Sequence, residues 1–187
     1  MTKLVEQVKA GEVSVEEAEG QLAQLPYQDL GFAKLDHHRK VRQGFGEVIF
    51  CSGKSDEHLT KIYEAFYEQE TEVLGTRASQ HQYELVKALI PELVYDPISR
   101  IMNYEKPGKE RIGRIAVCTA GTADIAVAEE CAQVAEFFGT RVDRHYDVGV
   151  AGIHRLFSKI DEILKANVVV AVAGMEGALG GVIAGLV

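Results

Sequence analysis

Apolar residues recur along this chain in two rhythms, one with a helical period and one in short β-branched runs. From Leu4 to Leu25 the period is helical and breaks near Gly11, which predicts a helical hairpin ended by Pro26. Ser14 followed by Glu17 has capping-box spacing, and Val15, Ala18, Leu22 and Leu25 form one stripe after it. Beyond residue 28 the two rhythms alternate. Glu47 to Phe50 reads as a strand, and Ser55 caps a helix with Leu59, Ile62, Tyr63 and Phe66 on one side. Glu72 to Thr76 reads as a strand, and Ser79 starts a helix that faces Tyr83, Val86 and Ile90 inward and closes at Pro91. Strand-like Glu92 to Tyr95 and Ile98 to Tyr104 complete a small α+β or α/β layer. The polar run from Glu105 to Glu110 holds a Pro-Gly pair and marks the best domain boundary.

After that boundary the pattern becomes regular: strand 115–119, helix 123–138, strand 140–146, helix 153–165, strand 168–173, and a helix from about 177. Strands joined by helices of this length run parallel, so a doubly wound α/β sheet is expected. The expected organisation is N-terminal helices at 1–26, a small α+β domain at 27–105, a linker at 106–112 and a partial α/β domain at 113–187. Ligands in such sheets bind at the carboxyl ends of strands. Here those ends are Thr119-Ala120-Gly121-Thr122-Ala123-Asp124, then Asp147-Val148-Gly149-Val150-Ala151-Gly152 followed by His154 and Arg155, and Gly174-Met175-Glu176-Gly177. The first is either an ordinary strand-to-helix connection or an anion-binding turn, and it is neither a GxGxxG fingerprint nor a Walker loop.

Composition narrows the partners. The formal charge is −8, with 7 Lys+Arg against 9 Asp+Glu in residues 111–187 and 13 against 19 before them. Neither half is basic, so nucleic acid and membranes are poor partners, and an anionic ligand must meet a local cluster. Three cysteines, at 51, 118 and 131, lack metal-ligand spacing and follow no signal peptide. A reduced, cytoplasmic protein is expected, with Cys118 and Cys131 buried.

Candidate chemistry then falls on few residues. Arg39 and Arg42 lie three apart behind His37 and His38, as two forked cations for phosphate oxygens or as a solvated face paired with Asp36 and Glu47. The histidine pair has no second Cys/His cluster, so no metal site is assigned. Asp124 falls in the first turn of its helix, where a carboxylate is favourable in any case. His154 and Arg155 sit near a helix start, which disfavours cations, so a bound anion would remove the conflict. Glu176, directly after an apolar strand, is either a partly buried carboxylate suited to general-base work or a simple helix-start acid. The run from Gly180 to Val187 is apolar throughout, which suggests a sheet completed by further chain or by another subunit.

Three of these stretches carry a resemblance. TAGTAD at 119–124, DVGVAGIHRL at 147–156 and AGMEGALGGVIAGL at 173–186 resemble the LarB family, whose second domain is similar to the PurE-type aminoimidazole ribonucleotide carboxylases. The first half resembles the family too, through Leu35-Asp36, Arg39, Arg42, Gly44, EVIF at 47–50, Gly53-Lys54 and Thr76-Arg77, so the likeness spans residues 25–187. It implies a PurE-like sheet, incomplete at the C-terminus, behind a small α+β domain. It also implies a synthase in nickel-pincer cofactor assembly for lactate racemase. That enzyme carboxylates C5 of the nicotinate ring of nicotinic acid adenine dinucleotide with CO2 and hydrolyses the phosphoanhydride, releasing AMP.

By the same resemblance, Glu176 is the general base and Asp124 the acidic residue near the ring. Thr119, Ala120, Gly121, Thr122, Asp147, Gly149, Gly152, Gly174 and Met175 line the substrate loops, and His154, Arg155, Arg39 and Arg42 contact its anions. No tightly bound cofactor is implied. CO2 is a co-substrate, Mg2+ the associated divalent cation, and a homo-oligomer the expected assembly. The family's nucleophilic cysteine lies downstream of AGMEGALGGVIAGL, and none of Cys51, Cys118 or Cys131 matches it, so a truncated or cleaved form is expected. Two alternatives stay open: a PurE-type carboxylase or mutase, although TAGTAD replaces a Gly-Ser-x-Ser-Asp loop, and a catalytically inactive nucleotide-binding fragment.

Overall fold

The structure is a computed structural model describing residues 2–24, 27–37 and 39–187, without the side chains of residues 2, 3, 21–24, 41 and 42. Residues 1–47 and 48–187 form two compact units.

In the first unit, α1 (Thr2–Lys9) and α2 (Val15–Gln24) flank a turn in which Gly11 has φ +75°. The capping box is formed: Glu17 donates its amide to Ser14 Oγ, and Ser14 returns its amide to Glu17 Oε2, both at 3.0 Å. Ala18 is buried while Val15 is exposed; of the rest of the expected stripe, the Leu22 side chain and Leu25 lie outside the described residues, together with Pro26. Next come two short strands, β1 (Gln28–Asp29) and β2 (Lys34–Leu35), paired antiparallel, and then α3 (Arg39–Gln43).

The second unit begins with a mixed sheet. Its elements are β3 (Val48–Phe50), α4 (Asp56–Glu68), β4 (Val73–Thr76), α5 (Gln80–Lys87), β5 (Val94–Asp96) and β6 (Ile101–Tyr104), in strand order β3-β4-β6-β5 with only β3 and β4 parallel. Both helices start as their sequences demand: Ser55 Oγ accepts the amide of His58, and Ser79 forms a reciprocal pair with Gln82. Leu59, Ile62, Tyr63 and Phe66 of α4 are buried, as are Val86 and Ile90 beside α5.

The second sheet is wholly parallel. It consists of β7 (Ile112–Thr119), α6 (Ile125–Phe137), β8 (Thr140–His145), α7 (Ile153–Phe157), α8 (Ile160–Ile163), β9 (Val168–Val172) and α9 (Ala178–Ala184), with β7 between β8 and β9. Alternate residues of β7 face opposite ways. Ala116 and Cys118 pack with Leu156, Ile163, Leu179 and Ile183, whereas Val117 packs with Ala128 and Ala132 of α6. The protein is therefore a mixed α/β chain with a parallel sheet covered by helices on both faces.

One expectation needs correction. The helix expected at 153–165 is broken between α7 and α8, where Ser158 Oγ donates to the carbonyl of Arg155 at 2.7 Å and competes with the helical ladder. In the closing run, α9 buries Leu179 and Ile183 and exposes Gly181 and Ala184, and Val187 beyond it is exposed.

The two sheets of this unit meet through α6. Leu74 of β4 and Ile101 of β6 form a cluster with Phe137, Arg77 pairs with Glu130 at 2.8 Å, and the Pro-Gly segment is pinned by Lys109, which reaches Glu72 (3.1 Å), Glu105 (3.0 Å) and the Phe137 carbonyl (2.5 Å).

Candidate functional site

The three parallel strands end on one side of their sheet, so the segments after β7, β8 and β9 emerge together. Thr119, the last residue of β7, is fully buried and ties the second segment to the first. Its Oγ1 accepts the amide of Asp147 and its carbonyl the amide of Val148, both at 2.9 Å. Gly149 then passes so close to the first segment that a Cβ there would lie 2.4 Å from the Ala120 carbonyl oxygen.

Asp124 ties the first segment to the third. Its Oδ2 accepts the amide of Gly121 at 3.0 Å, and its Oδ1 the amide of Gly174 at 3.0 Å. A carboxylate with each oxygen on a backbone amide orders both turns at once. Asp147 stands in the left-handed region at φ +57°, and its Oδ2 accepts from Arg155 Nη1. The charge of Arg155 near a helix start is thus met within the chain, by Asp147. The guanidinium fills the space over Gly152, where a Cβ would lie 2.7 Å from Nε.

Not every expected residue joins this network. Thr122 is exposed in the turn preceding α6. Met175 is fully exposed at φ +51°, and Glu176 beside it is exposed rather than partly buried, because the turn 174–177 swings off the end of β9. His154 is exposed as well, and neither its side chain nor that of Glu176 makes a hydrogen bond or ion pair among the described residues. In the first unit, Arg39 lies on α3, donates from Nε to Gln43 Oε1 at 3.0 Å and stacks over Phe45, while the Arg42 side chain lies outside the described residues. Among the described residues no cluster of three His, Cys, Asp or Glu side chains is placed to hold a metal ion, and no helix is long and apolar enough to cross a membrane.

The thiols are poorly placed for nucleophilic work. Cys51 and Cys118 are fully buried, and burial pushes both up to about 11; Cys131, half-buried, is also raised by burial and by Glu130.

A charged cluster that sequence spacing does not announce sits behind the second segment. Arg144 of β8 bridges Glu129 (2.9 Å) and Glu136 (2.7 Å) of α6, and Tyr146 donates its hydroxyl to Glu129. The only sequence signal is that Glu129 and Glu136, seven apart, share one helix face.

Beneath α8, His145 is 5% exposed and its Nε2 is buried without a partner among the described residues. Burial holds its pKa below the usual 6.5, with Glu162 opposing that shift. The neutral form is the folded form, so its stability contribution is full above the unfolded value of 6.5 and is lost as pH falls from there through the folded value. The urea midpoint is expected to drop between pH 7.5 and 5.5, and to drop less in His145→Asn; equal slopes for the two proteins would refute the assignment.

Comparison with known proteins places the chain. A family model described as the LarB/PurE-like N-terminal domain matches residues 27–106. The uncharacterized protein MJ0165 of Methanocaldococcus jannaschii is 34% identical over 197 residues, an alignment that takes in 96% of this chain and 74% of that protein. The chain belongs to the LarB family. The match covers the β1–β2 pair, α3 and the mixed sheet of this LarB-family chain, and the relative extends the likeness across the parallel sheet and its three end segments.

Proposed function

We propose that this chain binds nicotinic acid adenine dinucleotide at the ends of β7, β8 and β9 and serves the carboxylation of its nicotinate ring at C5 with CO2, followed by phosphoanhydride hydrolysis that releases AMP. The product is pyridinium-3,5-biscarboxylic acid mononucleotide, a nickel-pincer cofactor precursor. The observation that carries this reading is the Asp124 carboxylate holding the amides of Gly121 and Gly174, which draws two strand-end turns into one cradle. LarB membership supplies the substrate class, and the parallel β8-β7-β9 sheet supports a PurE-like doubly wound domain.

Within that reading the residues divide their work. Thr119 through Thr122 and the 149–155 segment surround the phosphates and ribose, with His154 and Arg155 as anion contacts. Asp124 acts through the shape of the cradle. Exposed and unpaired among the described residues, Glu176 is free to accept the ring proton once a carboxylate has been added at C5. A pyridinium ring is too electron-poor to attack CO2 until a nucleophile has added to it, and the burial of Cys51 and Cys118 makes them unsuited to that addition. Mg2+ is the divalent cation associated with this reaction, and no ligand for it is assigned among these residues. A cytoplasmic homo-oligomer completes the proposal.

The burial of these thiols favours one second reading, dinucleotide binding without turnover by these residues alone. A single experiment separates the two: the protein is incubated with the dinucleotide and bicarbonate, and AMP and a product enlarged by one carboxylate are sought beside a calorimetric titration. Product supports the synthase, binding alone supports the second reading, and neither removes both. In a form that turns over, Glu176→Gln is expected to keep dinucleotide affinity within about twofold while turnover falls on the order of a hundredfold or more. Normal turnover in that variant would take the base role away from Glu176.

A further inference from the structure

Besides the Arg155–Asp147 pair, the segment after β8 is anchored from two sides. On one side Thr119 accepts the amides of Asp147 and Val148. On the other, Tyr146 sends its hydroxyl to Glu129 Oε1 at 2.5 Å. Glu129 also accepts from Arg144, through Nε at 2.9 Å and Nη2 at 3.3 Å, and from Gln133 Nε2 at 3.2 Å. Arg144 is held in turn by Glu136.

Gln133 carries the contacts onward. One turn along α6 from Glu129, it donates from Nε2 to Asp96 Oδ2 at 2.6 Å and accepts from Ser99 Oγ at 3.2 Å. Asp96, the last residue of β5, is itself fixed by the turn into β6, accepting the amides of Ile98 (3.2 Å) and Ser99 (3.1 Å). The charged part of the chain is largely sheltered, with the Glu129 and Arg144 side chains 15% and 29% exposed. Burial alone would raise Glu129, but hydrogen bonds from Tyr146, Arg144 and Gln133 hold it below the usual carboxylate value, while burial and Glu129 keep Tyr146 a protonated donor.

What the chain of contacts ends on is a strained residue. Asp147 adopts φ +57°, a region that costs a non-glycine residue about 1 kcal/mol or more and persists only where surroundings impose it. Thr119 restrains the amide side of Asp147, but nothing in that contact fixes the preceding residue. Tyr146 is held by packing against Val117, Ala128 and Ala132 and by the bond from its hydroxyl to Glu129.

We propose that Glu129 is a positioning residue, which through Tyr146 holds Asp147 in its left-handed conformation and, through Gln133 and Asp96, makes the second segment of the candidate site depend on the β5–β6 turn of the first sheet. Its effect on ligand affinity rests on the function proposed above; its effect on the segment does not.

Amide hydrogen exchange of the full chain tests the proposal without any ligand. Tyr146→Phe keeps the ring and removes the hydroxyl. It is expected to speed exchange at Asp147 and Val148 by about tenfold while amides of Val117 and Val170, inside the strands, keep their rates. Asp96→Asn is expected to give a smaller rise at the same two amides, and the double variant less than the product of the two effects. Glu129→Gln, which keeps an acceptor for Tyr146, should lie nearer wild type than Glu129→Ala. Unchanged exchange at Asp147 in Tyr146→Phe overturns the proposal, and so does a rise spread evenly over both sheets, which would mean general destabilisation. If wild type binds no dinucleotide, the proposed function fails, and the exchange rates still decide this inference.

Discussion

Gly75→Ala is expected to destabilise the protein by about 4 kcal/mol, seen as a large fall in urea midpoint with little change in slope. Gly75 lies in β4 between β3 and β6, and a Cβ built there would sit 2.1 Å from the Tyr63 hydroxyl oxygen and 2.7 Å from Cys51 Sγ. Tyr63 is fully buried in α4, and its hydroxyl donates to the Met102 carbonyl at 3.2 Å. Making room therefore means moving a rigid ring and breaking a buried hydrogen bond, each of which costs about 1–3 kcal/mol. The damage should travel, because β4 also carries Leu74 to Phe137 and leads into Arg77, the partner of Glu130 on α6. Tyr63→Phe removes the nearest clashing atom, so the double variant should be less destabilised than the two single effects added. A Gly75→Ala protein within about 1 kcal/mol of wild type would show that the packing around Tyr63 is looser than these distances imply.

Much of this architecture is legible in the order of the amino acids. The caps at Ser14, Ser55 and Ser79 are local chemistry, legible from a serine just before a helical pattern, and each is made. The parallel sheet follows from strands too far apart in sequence for hairpins, and it is found at β7, β8 and β9. The β1–β2 pair escapes notice because two-residue strands leave no periodicity to detect. Ser158 breaks a helix by a side-chain bond that competes with the backbone, which apolar spacing does not register. At the candidate site, a loop's position in sequence says which strand end it follows but not which way its side chains turn. So Glu176, by sequence either a partly buried carboxylate or a helix-start acid, stands exposed, and Arg155, for which a bound anion would remove the conflict, finds Asp147. The mixed-sign network around Arg144 joins residues from β8, α6 and the β5–β6 turn, and only the folded chain brings them together.

Asp124 shows the same limit most clearly, and its substitution carries the largest expected loss of affinity. Its bond to the Gly121 amide lies three residues away and agrees with a helix-start carboxylate, but the bond to Gly174 spans fifty residues. Asp124→Asn keeps size and shape while replacing one acceptor oxygen by an amide nitrogen, which then faces a backbone N–H instead of accepting from it. One charge-assisted hydrogen bond is lost and the other weakened, together about 2–4 kcal/mol. Because those bonds join the first and third segments, the loss falls on the cradle more than on the strands beneath it. Dinucleotide affinity is expected to fall by about thirtyfold, equivalent to about 2 kcal/mol, while exchange at Gly121 and Gly174 rises and that of Val117 holds. Asp124→Ala should be no better, since it leaves both amides without the carboxylate. Unaltered affinity in Asp124→Asn, with the protein folded, would mean that the two turns keep their places without this carboxylate, and the cradle would lose its basis.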